Sequence, residues 1–363
     1  MAFSLAVEVR NMKLPLVYAL HSGNLYGTER MALATVEGLA DEFEPIIFAP
    51  PGLALKEAER LGFAVQPFSS PLEFAWKLRP FLSRHKKLAF VATGVAHSLA
   101  CLAWNTLYCR QIVHLHIVHG GTDERLSYGR KQKLNGRQVT FVAVSHFVRE
   151  RLIANGVAAN QIEVIENFLP DRQIAAAPKH PSFDLPGVRQ IIVISRLDPI
   201  KRVDVLLDAL DQQTALGALS FRIFGTGWQL EELRARAAAR NPNVMFSGFQ
   251  NDVAGELAAA DLLVHTCPEE PFGLAIIEAM AANVPVLVPD SGGAGSLVEE
   301  GVSGFRFAAN QSASLAARLC ELRNASADLL NRVVAGGRQA LGSRFSAAAR
   351  TADYRRLLHG ERQ

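Results

Sequence analysis

The sequence predicts an α/β protein built from two doubly wound, parallel-sheet domains. Three observations lead there. Short β-branched apolar runs alternate with helical patterns along the chain, as expected of strands buried on both faces and joined by helical crossovers. A low-periodicity segment carrying Pro170, Pro178, Pro181 and Pro186 separates those runs into two groups. The length, 363 residues, corresponds to about two domains at roughly 150 residues each.

In the first group the strand runs are 15–20, 45–49, 64–68, 88–92, 111–116, 140–145 and 162–166; in the second they are 190–195, 221–225, 244–248, 262–266, 285–289 and 305–307. The expected domains are 1–170 and 171–345. A last helix, about 346–363, shows Ala349, Tyr354, Leu357 and Leu358 on an apolar face that can pack back on the first domain. The uncharged stretch from Leu88 to Cys109 is long enough to span a bilayer. Thr93-Gly94 breaks it, however, and His97, Ser98, Asn105 and Thr106 spread polarity along it. A buried strand followed by a packed helix accounts for it.

Composition narrows the function. The chain is 49% hydrophobic and 20% charged, too apolar for disorder. Lys plus Arg number 38 against 35 for Asp plus Glu, a net charge of +3, which gives no electrostatic case for a nucleic-acid partner. The cysteines Cys101, Cys109, Cys267 and Cys320 show no C-x-x-C spacing and read as thiols of a reducing compartment. The first residues lack the features of a signal peptide, and Met12 serves as well as Met1 for a start. These readings give a cytoplasmic expectation.

The chemistry-bearing residues fall at strand ends. Glu269-Glu270-Pro271-Phe272-Gly273-Leu274 follows one strand, and a helix is expected to begin near Gly273. Its first amides suit a phosphate. Glu270 before that helix and Glu278 inside it suit a ligand rich in hydroxyls, or else are an electrostatic N-terminal residue and a solvated carboxylate. Arg196 and Lys201 share the loop after another strand; they are cations for a diphosphate or simply surface charge. A first strand-turn-helix carries Gly23 and Gly27 without the dinucleotide fingerprint, and Gly225-Thr226-Gly227 lacks its third glycine. Alternation puts His114 and His116 on one strand face, with His119 beyond. No Asp-x-Asp occurs and no metal-ligand set is complete, so the metal expectation is none.

Taken in order, the Gly23/Gly27 loop, His116, Asn167, Arg196 to Lys201, Gly225-x-Gly227, Glu270-x(7)-Glu278 and Gly292-Gly293 resemble glycosyltransferase family 4 over nearly the whole chain. The resemblance implies a GT-B fold, with Rossmann-like domains facing across a cleft, and a retaining, metal-independent transfer from a UDP- or GDP-sugar. The acceptor would be a glycan or lipid-linked molecule in cell-surface polysaccharide or glycolipid synthesis, with no cofactor beyond the donor. It places Arg196 and Lys201 on the diphosphate, Glu278 on the ribose, and Glu270 with the Phe272, Gly273 and Leu274 amides on sugar and phosphate. Gly27 closes over the diphosphate, Gly225 joins the donor site, and His116 stands at the reacting centre with His119 as runner-up. Asn283 and Ser296 depart from the family's usual glycine and glutamate.

Rival readings are a sugar-nucleotide 2-epimerase on the same fold and a non-catalytic sugar-nucleotide scaffold. The stretch from Glu73 to Leu88 interleaves Phe74, Trp76 and Phe81 with basic residues and is interrupted by Pro80; with the basic stretch from Arg125 to Arg137 it suggests docking on the inner face of a membrane.

Overall fold

The computed structural model describes residues 13–121, 123–250 and 252–361; the alternative starts at Met1 and Met12 lie outside them. Every expected run forms a strand. β1 (Leu14–Ala19), β2 (Phe43–Ala49), β3 (Ala64–Pro67), β4 (Lys87–Ala92), β5 (Gln111–Val118), β6 (Thr140–Ala143) and β7 (Ile162–Val164) make a seven-stranded sheet in the order β3-β2-β1-β4-β5-β6-β7. β8 (Gln190–Ile194), β9 (Ser220–Phe224), β10 (Val244–Gly248), β11 (Leu262–Val264), β12 (Val286–Pro289) and β13 (Phe305–Phe307) make a six-stranded sheet in the order β10-β9-β8-β11-β12-β13. The β1–β2, β1–β4, β8–β9 and β8–β11 pairings are parallel. Both sheets thus reverse strand order once, between β1 and β4 and between β8 and β11. Open α/β sheets bind ligands beside the strand ends at such a switch point.

By contact the chain forms two compact units: the stretch up to Ile117, Lys133–Phe141 and the chain from Tyr354 on; and Val118–Gln132 with Val142–Asp353. The proline-dotted segment separates the strands of the two sheets but is not the border of these units. It is also not structureless, since Asp171–Ala176 is a short helix with Pro170 at its N-cap.

In the first unit the helix Pro71–Arg84 is set by Ser70, whose Oγ accepts the Glu73 amide at 3.2 Å, and by Pro71 in its first turn. Pro80 does not interrupt it. Phe74, Leu78 and Leu82 recur at helical spacing and are fully buried, and that burial outweighs the roughly 3 kcal/mol an internal proline costs. Phe74 and Phe81 stack edge-on against Phe48, each at 5.6 Å. The helix ends at Arg84, so Lys87 and Leu88 belong to β4. The end of the helix Ala347–Leu358 joins this unit: Tyr354, Leu357 and Leu358 are buried, and Arg355 donates to Gly38 O at 2.6 Å and Asp41 Oδ1 at 2.8 Å. The core of the second unit is the β8–β9 interior, with Ile191, Val193, Phe221 and Ile223 under Leu206 and Leu210 of the helix Val203–Gln212.

Two histidines of the first unit are held neutral. His97 lies 4.5 Å from the Phe74 ring and 5.1 Å from Phe68; burial, and then the nearby His21, push it down to about 4. Burial alone pushes His114 down to about 3. The unfolded chain takes up these protons near pH 6.5 and the folded chain refuses them, so stability is level above that pH and falls as pH drops toward 4. The urea midpoint should therefore decline between pH 7 and about 5.5, before carboxylates contribute, and His97→Phe should flatten part of that decline. An unchanged slope in this variant would show that His97 does not carry it.

Candidate active site

At the switch point of the second sheet, β8 and β11 lie side by side, with Ile191 opposite Leu262 and Ile192 opposite Leu263. The loops that follow them are therefore neighbours. Thr266 Oγ1 donates to Lys201 O at 2.7 Å and Cys267 Sγ to Ile200 O at 3.3 Å, stitching one loop to the other. The stitching brings the Lys201 ammonium 2.6 Å from Glu270 Oε2, with both side chains only 14% exposed. Burial alone would discharge both groups. For Glu270 it is outweighed by Lys201 and by His265, whose Nε2 lies 3.3 Å from Glu270 Oε2, and the carboxyl is held well below its usual range. For Lys201 burial is outweighed by the Glu270 carboxylate, and the ammonium is held above its usual range. The residues assigned separately to diphosphate and sugar are thus one ion pair.

Arg196 is on the same loop but 62% exposed, held at 2.8 Å by Asp198 Oδ2. The loop rests on the β9 turn: Leu197 N donates to Thr226 O and Gln229 N to Leu197 O, each at 2.9 Å. A Cβ at Gly225, whose φ is +140°, would stand 1.8 Å from Ser195 O. Gly225 therefore admits the backbone that presents Arg196, and this chain contact is its visible role. Gly292-Gly293 works alike: a Cβ on Gly293 would meet Pro271 O at 2.2 Å, and Gly293 N donates to Glu270 O at 2.6 Å.

Phe272 is buried edge-on to Phe345 at 6.0 Å. Gly273, with φ of +101°, caps the helix Leu274–Ala281. Ile276, Ile277, Ala279 and Met280 face the core, while Leu274, Ala275 and Glu278 share the half-buried side, as residues spaced three and four apart on a helix do. Cys267 is buried, and desolvation pushes its thiol up to about 11. Among the described residues His265, Cys267 and Glu270 form a group whose ligand atoms lie within 4.8 Å of one another, near enough to share a metal ion. Strand alternation did not single out His265, inside the expected run 262–266, or Cys267, directly after it; β11 ends at Val264, so both stand on the loop, and Asp198 was missed too.

In the first unit, His21 Nδ1 lies 2.8 Å from Thr93 Oγ1, joining the loops after β1 and β4. Gly27 opens the helix Gly27–Leu39, where Glu29 Oε2 accepts the Tyr26 amide at 3.1 Å. A Cβ on Gly23 would stand 2.5 Å from Pro50 O, so the close approach there is to the chain itself and not to a ligand. His114 and His116 do share a face: Ser98 Oγ lies 3.0 Å from His114 Nε2 and 2.9 Å from His116 Nδ1. His116, however, is 0% exposed, edge-on to Phe141. β5 runs on to Val118 instead of ending at His116, which leaves that imidazole inside the layer. His119, past the strand end, is half-buried.

Two family models match the chain, Glycosyl transferases group 1 over residues 179–340 and Glycosyltransferase Family 4 over residues 25–172. The chain belongs to glycosyltransferase family 4. A phosphatidyl-myo-inositol mannosyltransferase of Mycobacterium leprae is 30% identical over 58% of this chain and 55% of its own length. The lipopolysaccharide core glycosyltransferase LpsE of Rhizobium meliloti is 27% identical over 54% of this chain and 58% of its own length. The matched stretches thus span little more than half of these relatives, which act in cell-surface glycolipid and polysaccharide synthesis. The crystal structure of Anabaena HepE with UDP-glucose superposes with a TM-score of 0.79 at 21% identity, covering 96% of this chain and 100% of that one. The fold is GT-B. In this family's frame Asn283 is accounted for: its φ is +61°, a conformation glycine takes freely and asparagine tolerates. Ser296 instead closes its own turn, donating to Gly293 O at 2.7 Å.

Removing one partner of the Lys201–Glu270 pair strands a buried charge, at a cost of about 3–5 kcal/mol. Lys201→Met and Glu270→Gln should each lower the denaturation midpoint, and the double variant should recover part of the loss. Fully additive losses in the double-mutant cycle would show that the two charges do not stabilise each other.

Proposed function

We propose that the chain is a retaining glycosyltransferase that moves a sugar from a UDP- or GDP-sugar to a glycan or lipid-linked acceptor. The observation that carries this is the buried Lys201–Glu270 pair beside Arg196 at the β8/β11 switch point. As the nucleoside diphosphate leaves, its oxygens gain charge. Arg196 presents a planar fork of donors to them, Lys201 a fixed ammonium, and the Phe272, Gly273 and Leu274 amides the positive end of a helix. Glu270 accepts hydrogen bonds from sugar hydroxyls and Glu278 from the ribose. The place at the reacting centre goes to a histidine at the end of β5, His116 or, since His116 is fully buried, the half-buried His119. No step here calls for a bound metal.

Each charge-assisted hydrogen bond contributes about 1.5–3 kcal/mol, so Arg196 and Lys201 together supply about two to four decades of rate. Purified protein should hydrolyse a UDP- or GDP-sugar slowly, and hydrolysis should survive EDTA. It should fall by about a decade or more in Arg196→Ala at an unchanged melting temperature. A protein that binds the donor without hydrolysing it is the scaffold instead, and an enzyme that needs added magnesium after EDTA is not metal-independent.

For the acceptor side, a lipid surface is supported by a narrower patch than the sequence suggests. Phe74 packs in the core with the half-buried Phe81 against it, and Lys131, in the second basic stretch, is buried with its Nζ 3.0 Å from Leu126 O. Leu72, Trp76 and Leu107 remain exposed, and Arg79 stacks 5.9 Å from the Trp76 ring and 5.7 Å from Trp104. No helix among the described residues is long and apolar enough to cross a membrane. Leu72→Ala with Trp76→Ala should reduce co-sedimentation with anionic vesicles and leave the melting temperature unchanged; undiminished co-sedimentation assigns docking elsewhere.

A further inference from the structure

The proposed transfer uses only one of three metal-ligating side chains gathered after β11. His265, Cys267 and Glu270 each offer a ligand atom, all within 4.8 Å of one another. His265 and Cys267 are both buried, and His265 Nε2 faces Glu270 Oε2 at 3.3 Å. That same oxygen accepts the Lys201 ammonium at 2.6 Å. We propose that these three side chains form an inhibitory site for a soft divalent cation such as zinc, which binds by displacing Lys201 from Glu270.

The donor set selects the metal. Imidazole, thiolate and carboxylate together suit zinc, whereas magnesium and calcium favour all-oxygen shells. The cation exchange is balanced: a dication meets the Glu270 carboxylate and the Cys267 thiolate, the thiol proton leaves to solvent, and the ammonium leaves the carboxylate. Cys267 also gives up its contact with Ile200 O, on the loop that carries Lys201. Three protein ligands leave one position open, as in catalytic rather than structural zinc sites, and a strong chelator in excess should reverse the loading. The functional consequence rests on the proposed donor reading: a loaded site withholds Glu270 from the sugar and frees Lys201 from its seat, so metal and donor oppose each other. The metal site itself stands on the geometry alone.

Cobalt(II) reports the site without any donor. Titrated into chelator-treated protein, it should give a thiolate-to-cobalt charge-transfer band that zinc bleaches and that Cys267→Ala abolishes. His265→Gln, a second variant in case Cys267→Ala fails to fold, should weaken cobalt binding about tenfold or more. Zinc should then weaken nucleoside diphosphate binding by about tenfold or more in the unmodified protein, EDTA should restore it, and zinc should have no such effect in Cys267→Ala. The Cys267→Ala control also absorbs any chelation of zinc by the nucleotide. A missing band overturns the proposal, as does one that survives Cys267→Ala and disappears in Cys109→Ala or Cys320→Ala. Failure of the donor reading looks different: the band persists and the metal-free protein binds no nucleoside diphosphate.

Discussion

A lysine ammonium and a glutamate carboxylate, each nearly shut off from water, stand 2.6 Å apart where the loops after β8 and β11 meet, and much of the local architecture follows from holding them there. Neither charge is tolerable alone in such a place, since an uncompensated buried ion costs several kcal/mol. The pairing demands that two loops far apart in sequence meet in fixed register. The parallel β8–β11 contact supplies the coarse register, and Thr266 and Cys267 supply the fine one through the Ile200 and Lys201 carbonyls. On the proposed reading, a donor that enters offers Lys201 a diphosphate and Glu270 a set of hydroxyls. Under the proposed function, then, each charge exchanges one partner for another, and the site needs no rearrangement to bear the charge that develops on the leaving group.

The glycines serve the same end by an indirect route. From sequence, glycine at a strand-to-helix turn suggests backbone drawn close to a ligand. Here the close neighbour is another stretch of chain at each point: Ser195 beside Gly225, Leu197 beside Gly227, Pro268 and Pro271 beside Gly292 and Gly293, Pro50 and Pro51 beside Gly23. A side chain at Gly225 would push on the loop that presents Arg196, and one at Gly293 would push on the turn that carries Glu270. These positions shape the site by letting its loops lie against each other, so substitutions there disturb geometry before they touch a ligand.

The strands were legible because a strand buried on both faces writes itself as an uninterrupted apolar run, and the alternation of runs with helices fixed the parallel topology. The motif residues of the second sheet were legible too, because they sit at strand ends where such sheets bind ligands. What stayed hidden was whatever depends on a long-range contact or on an exact end. Nothing local says that Lys201 touches Glu270, sixty-nine residues on; the Arg196–Asp198 pair, two residues apart on one loop, lay within reach of a local reading. The end of β5 was placed at His116, and extending the strand to Val118 sets that histidine in the interior and leaves His119, half-buried, just past the strand end. Pro80 signals a break by its own chemistry, but burial of Phe74, Leu78 and Leu82 overrides it. Spacing shows the apolar stripe; it does not weigh the stripe against the proline.

Two cations of the β8 loop, Lys201 and Arg196, divide their work by chemistry. Lysine carries a compact, strongly hydrated charge that burial tends to discharge, so a buried lysine keeps its proton only beside a partner; Lys201 has Glu270. A guanidinium is planar, weakly hydrated and charged at any accessible pH, so it needs no burial to act and no partner to stay charged. Arg196 accordingly stands in solvent, steadied by Asp198 at one edge, with donors left to follow an anion that moves. Under the proposed function, a fixed charge at the base of the site and an adaptable one at its rim suit a departing diphosphate: the first sets where it sits, the second can stay with it as its bond to the sugar lengthens. Exchanging the two residues would reverse that order, leaving a screened point charge at the rim and an oversized fork in the seat that fits an ammonium.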